Sequence, residues 1–187
     1  MKIIELNGDF QVKRNIDSGT EEQRKAVVKI LQEVKSRGDQ ALFELTERFD
    51  GASLDSLKVA EAEIEAAYQN VDDSMVTAIR EAAENIRDFH SRGVRQSWMT
   101  TKDDGTLLGQ KVTPLDAVGV YVPGGTAPLA SSLIMGVVPA QVAGVQRIVV
   151  TTPPSTDGLV ASGVLVAARE IGVQEIYKIG GAQAVAA

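Results

Sequence analysis

The sequence predicts an α/β fold: a parallel βαβαβ unit preceded by a mainly helical region with a β-hairpin. Three observations carry that prediction. From residue 117 onward, short runs rich in Val and Ile alternate with longer apolar stretches of helical period, the pattern of parallel strands joined by crossover helices. That part is also nearly free of charge, with only Asp157, Glu170 and Glu175 against Arg147, Arg169 and Lys178, as expected for a sheet covered on its faces. Two of its strands run into glycine pairs, Gly124-Gly125 and Gly180-Gly181, each followed by a helical stretch.

The N-terminal elements follow from local signals. Thr20-Glu21-Glu22-Gln23 has the form of a capping box, and Val27, Ile30, Leu31 and Val34 recur behind it at helical spacing until Gly38. A second helix is expected over 39–49, with Leu42, Leu45 and Phe49 on one side, closed by Asp50-Gly51. A short extended piece at 57–59 leads into a helix over 61–69. Asp72 is placed to cap a longer helix in which Val76, Ile79, Ala83, Ile86 and His90 share a face. Asp103-Asp104-Gly105 between 98–102 and 106–112 signals a hairpin.

Beyond the hairpin the order is strand 117–122, helix 129–144, strand 147–152, helix 158–172, strand 175–179 and a helix starting at 181. This is an incomplete Rossmann-like unit in which strand 117–122 is expected to be central. The shift in composition near Pro114 is the candidate boundary between residues 1–115, the helical region with its hairpin, and residues 116–187, the βαβαβ unit.

Composition narrows the function. The chain has 187 residues, 44% of them hydrophobic, ample for a core. A net charge of −6 argues against nucleic acid as a partner, and no apolar run has the length of a membrane span. The absence of cysteine removes disulfides, thiolate nucleophiles and Cys-ligated zinc, and fits a cytoplasmic protein.

The chemistry-bearing candidates sit where strands end. Glycine loops opening onto helix N-termini are common ligand sites in α/β proteins. Neither loop has the G-x-G-x-x-G spacing, and Thr151-Thr152-Pro153-Pro154 stands where a ribose-binding acid would follow the next strand. Gly124, Gly125, Gly180 and Gly181 therefore have two readings, a nucleotide cradle or turn geometry alone. Tyr121, at its strand exit, either meets a ligand or caps the sheet. Gln183 offers an amide in the first turn of the last helix, where Gln also serves as a plain capping residue.

His90, the sole histidine, reads as a structural residue on the apolar face of its helix. Glu61, Glu63 and Glu65 read as a solvated surface rather than a cation site. No catalytic triad and no metal ligand set is spaced along the chain.

From Ala117 the sequence resembles the histidinol dehydrogenase family. The resemblance is carried by Val118-Gly119-Val120-Tyr121-Val122-Pro123-Gly124-Gly125-Thr126-Ala127-Pro128-Leu129, by Pro139-Ala140 with Ala143-Gly144, and by Gly180-Gly181-Ala182-Gln183-Ala184-Val185-Ala186-Ala187. Arg48-Phe49-Asp50-Gly51 and Asn85-Ile86 with Phe89-His90 are similar to earlier family phrases in the same order.

The resemblance implies a cytoplasmic, homodimeric, zinc-dependent enzyme. Such an enzyme oxidises L-histidinol through L-histidinal to L-histidine and reduces two NAD. It places NAD contacts on Tyr121 and Gln183 and, more softly, on the backbone of Gly124 and Gly125. The family's zinc ligands and acid/base pair lie beyond the glycine-glycine-alanine-glutamine phrase, so the chain is expected to be an inactive N-terminal segment holding no catalytic or metal residue. Two alternatives stand beside this. An aldehyde-dehydrogenase-like oxidoreductase would need a cysteine nucleophile elsewhere, and a non-catalytic oligomerising module would bind no NAD.

Overall fold

The structure, a computed structural model, describes residues 19–124 and 129–187. Gly125, one of the residues singled out by sequence, lies outside them. Seven helices, two antiparallel strands and three parallel strands are formed by the described residues.

The first helix, α1 (Glu21–Arg37), begins on the capping box its sequence announces. The Thr20 hydroxyl accepts from the Gln23 N–H at 3.2 Å, and Gln23 Oε1 accepts the Thr20 N–H at 2.8 Å. Gly38 ends α1 at φ 56° and at once starts α2 (Asp39–Asp50). Gly51 closes α2 in the left-handed region, its N–H donating to the Glu47 carbonyl at 3.1 Å. Next come α3 (Glu61–Ala67), a 3-10 turn (Tyr68–Asn70) and α4 (Asp73–Ser91). Asp72 is the N-cap of α4, but its side chain makes no capping hydrogen bond. The hairpin pairs β1 (Trp98–Thr101) with β2 (Leu107–Gln110) around Asp103-Asp104-Gly105.

The parallel sheet is ordered β3 (Ala117–Tyr121), β4 (Arg147–Thr152), β5 (Glu175–Lys178). Its strands are parallel as the alternating pattern requires, but β3 is not central. It is an edge strand, and β4 lies in the middle. Both crossovers, through α5 (Ala130–Val142) and α6 (Ser162–Glu170), step in the same direction across the sheet, so no reversal occurs beside β3.

Alternate residues of each strand face opposite ways. Val120, Val122, Val150 and Ile176 join α3, α4, α5 and α6 in one core, with Leu133, Val137 and Val166 fully buried there. Gly136 lets α5 lie close on β3, since a Cβ at that position would stand 2.7 Å from Val120. A smaller core joins α1, α2 and Ile179 through Val34, Ala41, Leu42 and Leu45, with Ala184 and Ala186 of α7 (Gly181–Ala186) packed against it.

Two side-chain expectations fail. His90 does not share the burial of Ile79 and Ala83. It is exposed in the last turn of α4, its ring edge-on to that of Phe89, itself 71% exposed. Arg87 of α4 donates to Gln141 of α5 at 3.1 Å, and the residues after it, 88–91, are exposed. The acidic run is likewise not simply solvated. Glu61 pairs with Arg169, and Glu63 holds the buried Lys178 ammonium at 3.1 and 3.3 Å. Glu63 also accepts the Ala60 N–H, which fixes the start of α3.

Candidate functional site

The three parallel strands end together, and the residues after them converge on Pro153. A Cβ on Gly124 would lie 2.4 Å from Pro153 Cγ, and one on Gly180 would lie 2.6 Å from Pro153 Cβ. Real Cβ atoms do not approach so closely, so each loop passes the proline only because it carries glycine there. Neither contact is a matter of backbone strain at Gly180, whose φ of −107° and ψ of −176° suit any residue. Gly181 differs: its φ is +60°, and it is the first residue of α7.

Tyr121 and the second glycine loop meet directly. The Gly181 N–H donates to the Tyr121 hydroxyl at 3.3 Å, tying the exit of the edge strand β3 to the loop that follows β5. Tyr121 itself remains 42% exposed, so its ring presents a face beside the groove. Gln183 is 1% exposed, and its Oε1 lies 2.7 Å from the point a Gly181 Cβ would take. The side chain thus folds back over the glycine that shares its helix turn. Tyr121, Gly124, Gly180 and Gln183 are therefore brought to one sheet edge.

Sequence reasoning missed Asp50. This residue ends α2, yet its Oδ1 sits 3.4 Å from the Cβ position of Gly180, at the same edge. Its Oδ2 is buried with no hydrogen-bond partner among the described residues. Burial pushes its carboxyl above the ordinary aspartate range, since the charged form is poorly solvated there. The only sequence signal was the Asp-Gly pair, which reads as a helix stop.

The sheet face opposite α5 and α6 lines an open groove of about 890 Å³ whose walls include Leu42, Phe43, Tyr121, Val149, Tyr177 and Ile179. At the other end of the sheet Arg147 clamps Glu175 with bonds of 2.9 and 2.8 Å, far from the loops. Among the described residues no group of three His, Cys, Asp or Glu side chains is assembled that would hold a metal ion.

The fold is a mixed α/β one with a parallel three-stranded sheet, whose glycine loops converge on Pro153 without the usual dinucleotide spacing. Sequence comparison then names the family. The histidinol dehydrogenase family profile matches residues 13–187, and the chain belongs to that family. It is 62% identical over 187 residues to histidinol dehydrogenase of Geobacillus kaustophilus, covering all of this chain and 44% of that protein. With the Bacillus subtilis histidinol dehydrogenase it shares 54% identity over 189 residues, again 44% of the relative. Among solved structures, the crystal structure of histidinol dehydrogenase from Elizabethkingia anophelis superposes with a TM-score of 0.85 at 35% identity, over 90% of this chain and 39% of that one. The chain thus spans less than half the length of these relatives.

Proposed function

We propose that this chain supplies the NAD-binding edge of a histidinol dehydrogenase, a zinc-dependent homodimer that oxidises L-histidinol through L-histidinal to L-histidine in the cytoplasm. On this reading residues 1–115 belong to a first, incomplete domain and residues 116–187 to the NAD-binding one. The observation that carries it is the meeting of Tyr121 with the Gly180-Gly181-Ala182-Gln183 loop at the C-terminal edge of the sheet. Ligands of open α/β sheets bind outside the carboxyl ends of the strands.

The residues present fit the cofactor. A dinucleotide at this edge would meet the glycine loops, which Gly124 and Gly180 allow to close on Pro153 where a Cβ would collide with it. It needs a planar platform and polar anchors, which the exposed Tyr121 ring and the Gln183 amide provide. Bound NAD supplies the hydride acceptor. Tyr121 would orient it, its hydroxyl held by the Gly181 N–H, while Gln183, pinned by burial, offers its amide from a fixed position. Gly124 and Gly125 would contribute backbone only. The described residues do not fit zinc, so the metal's part in the reaction does not fall on them.

Calorimetric titration of the chain with NAD tests the reading. Wild type is expected to bind, and Tyr121→Ala or Gln183→Ala to weaken binding about tenfold or more, the loss of roughly 1.4 kcal/mol. An absence of binding, or variants that bind as wild type does, would overturn it.

A further inference from the structure

Every residue from 88 to 117 is exposed, although the stretch holds the ordered β1–β2 hairpin. None of its side chains enters either hydrophobic core. The hairpin is nonetheless apolar on both faces. Opposed residues of an antiparallel pair point the same way, so the register puts Trp98 and Leu108 on one face, Met99 and Leu107 on the other. An antiparallel sheet in water keeps its solvated face polar, and this arm has no such face. Its two strands pair with each other only, and a lone two-stranded hairpin is at best marginally stable in water. An open groove of about 510 Å³ runs along it, its walls including the same four apolar residues.

The charges of the arm are laid out end to end. Its tip holds Asp103 and Asp104 against Lys102. Arg95 and Lys111 lie near its root, and no acid occurs at 93–101 or 105–115. Among the described residues Arg95, Lys111 and Asp103 form no ion pair. A second arm laid antiparallel brings each acidic tip beside the other's basic root. Laid parallel, it would set like charge against like. The antiparallel arrangement is the one a two-fold axis across the arms produces, with the same patch used by both copies.

We infer that this arm is the contact through which two copies of the chain pair, antiparallel, with their Trp98–Leu108 faces together. The inference rests on the homodimer of the reading above and not on its cofactor edge. Phe89 and Leu115 stand exposed at the root and extend the apolar surface. At roughly 100 Å² each, these six side chains present on the order of 600 Å². With the polar groups between them the arm approaches the contribution of one partner to a standard interface, about 800 Å². Tryptophan in the middle of such a face is a frequent anchor of interfaces.

Trp98 is the chain's only tryptophan, so its fluorescence reports on this face alone. In a dilution series of the 187-residue chain, followed by sedimentation and by emission, dimers should dissociate and the emission maximum should move to the red along the same curve. Leu108→Glu should raise the dissociation constant about thirtyfold or more. Arg95→Asp should raise it about fivefold, and Arg95→Asp with Asp103→Arg should restore it. A chain that stays monomeric at every concentration, or a blue-shifted emission independent of concentration, would overturn the inference. So would a Leu108→Glu variant that pairs as wild type does, which would leave a homodimer joined elsewhere. Loss of the fold in Leu108→Glu would place that side chain inside the chain's own packing and count against the arm as well. NAD titration keeps the two readings apart. A monomer that binds NAD refutes the arm alone, and a dimer joined by the arm that binds no NAD refutes the cofactor edge alone.

Discussion

Adding one methyl group at Gly180 should expose how tightly the two glycine loops are wedged on Pro153. Gly180 has an extended backbone open to any residue, so Gly180→Ala carries no penalty of conformation, only of space. The new Cβ would sit 2.6 Å from Pro153 Cβ and 3.3 Å from Pro153 Cα. Those atoms belong to a ring-locked residue and cannot rotate away. Overpacking of this kind costs about 1–3 kcal/mol, and for a chain of this size each kcal/mol lowers the midpoint by about 2–4 °C. Gly124→Ala meets a different part of the same proline, with its Cβ 2.4 Å from Cγ and 3.2 Å from Cδ. The geometry therefore dictates an asymmetric rescue. Pro153→Ala removes Cγ and Cδ, so it should relieve Gly124→Ala but not Gly180→Ala, whereas Pro153→Gly should relieve both. Urea unfolding of the single and double variants gives the coupling energies directly, expected at about 1 kcal/mol or more for the relieved pairs. Coupling below about 0.5 kcal/mol for Gly124 with Pro153→Ala, or equal rescue of both glycine variants by Pro153→Ala, would refute the wedge.

Other outcomes follow from the ion pairs and the exposed groups. Arg80 clamps Glu170 at 2.6 and 3.1 Å and holds its carboxyl below the usual range, so this stabilisation is complete above the unfolded glutamate pKa and lost as pH falls through the lower folded value. Glu170→Gln should therefore flatten the acid side of the stability curve and cost about 1 kcal/mol at pH 7, limited by the solvent exposure of Arg80. Burial and the bond to Glu170 push the Tyr68 hydroxyl up to about 12, so the folded state keeps its proton longer and stability should drop between about pH 10 and 12. Tyr68→Phe should abolish that drop, and a late-titrating phase in the alkaline absorbance of the wild type should be missing from the variant. His90→Gln should change stability by no more than about 0.5 kcal/mol in denaturant unfolding, because the ring is exposed. The chain incubated with histidinol, NAD and zinc should form no reduced cofactor and retain no zinc after dialysis; steady turnover or one bound zinc per chain would place the active site within these residues.

What the sequence made legible, and what it did not, divides along the distance over which each interaction acts. The Thr20 box, the Gly38 and Gly51 stops and the Asp-Asp-Gly hairpin are set by neighbours within a few residues, and each forms where its residues announce it. Parallel pairing was legible because a helix between two strands leaves little alternative. The order of strands was not: the same βαβαβ pattern serves whether the second crossover continues or reverses. His90 shows the limit of helical periodicity, which says which residues share a face but not where the partner surface ends. Glu63 shows the converse, a surface-like acid whose cation, Lys178, comes from the far end of the sequence.

The candidate site divides in the same way. Tyr121 and Gln183 stood out because they sit beside glycine pairs, a local mark. Asp50 carries no local mark beyond a helix stop, and its significance arises only when α2 docks against the loop after β5. An acid of this kind is recognised by what it lacks in the folded state. Nothing within the described chain answers Asp50 Oδ2, and the helix that ends there would be better served by a neutral residue. Stability alone gives no reason for aspartate at that point.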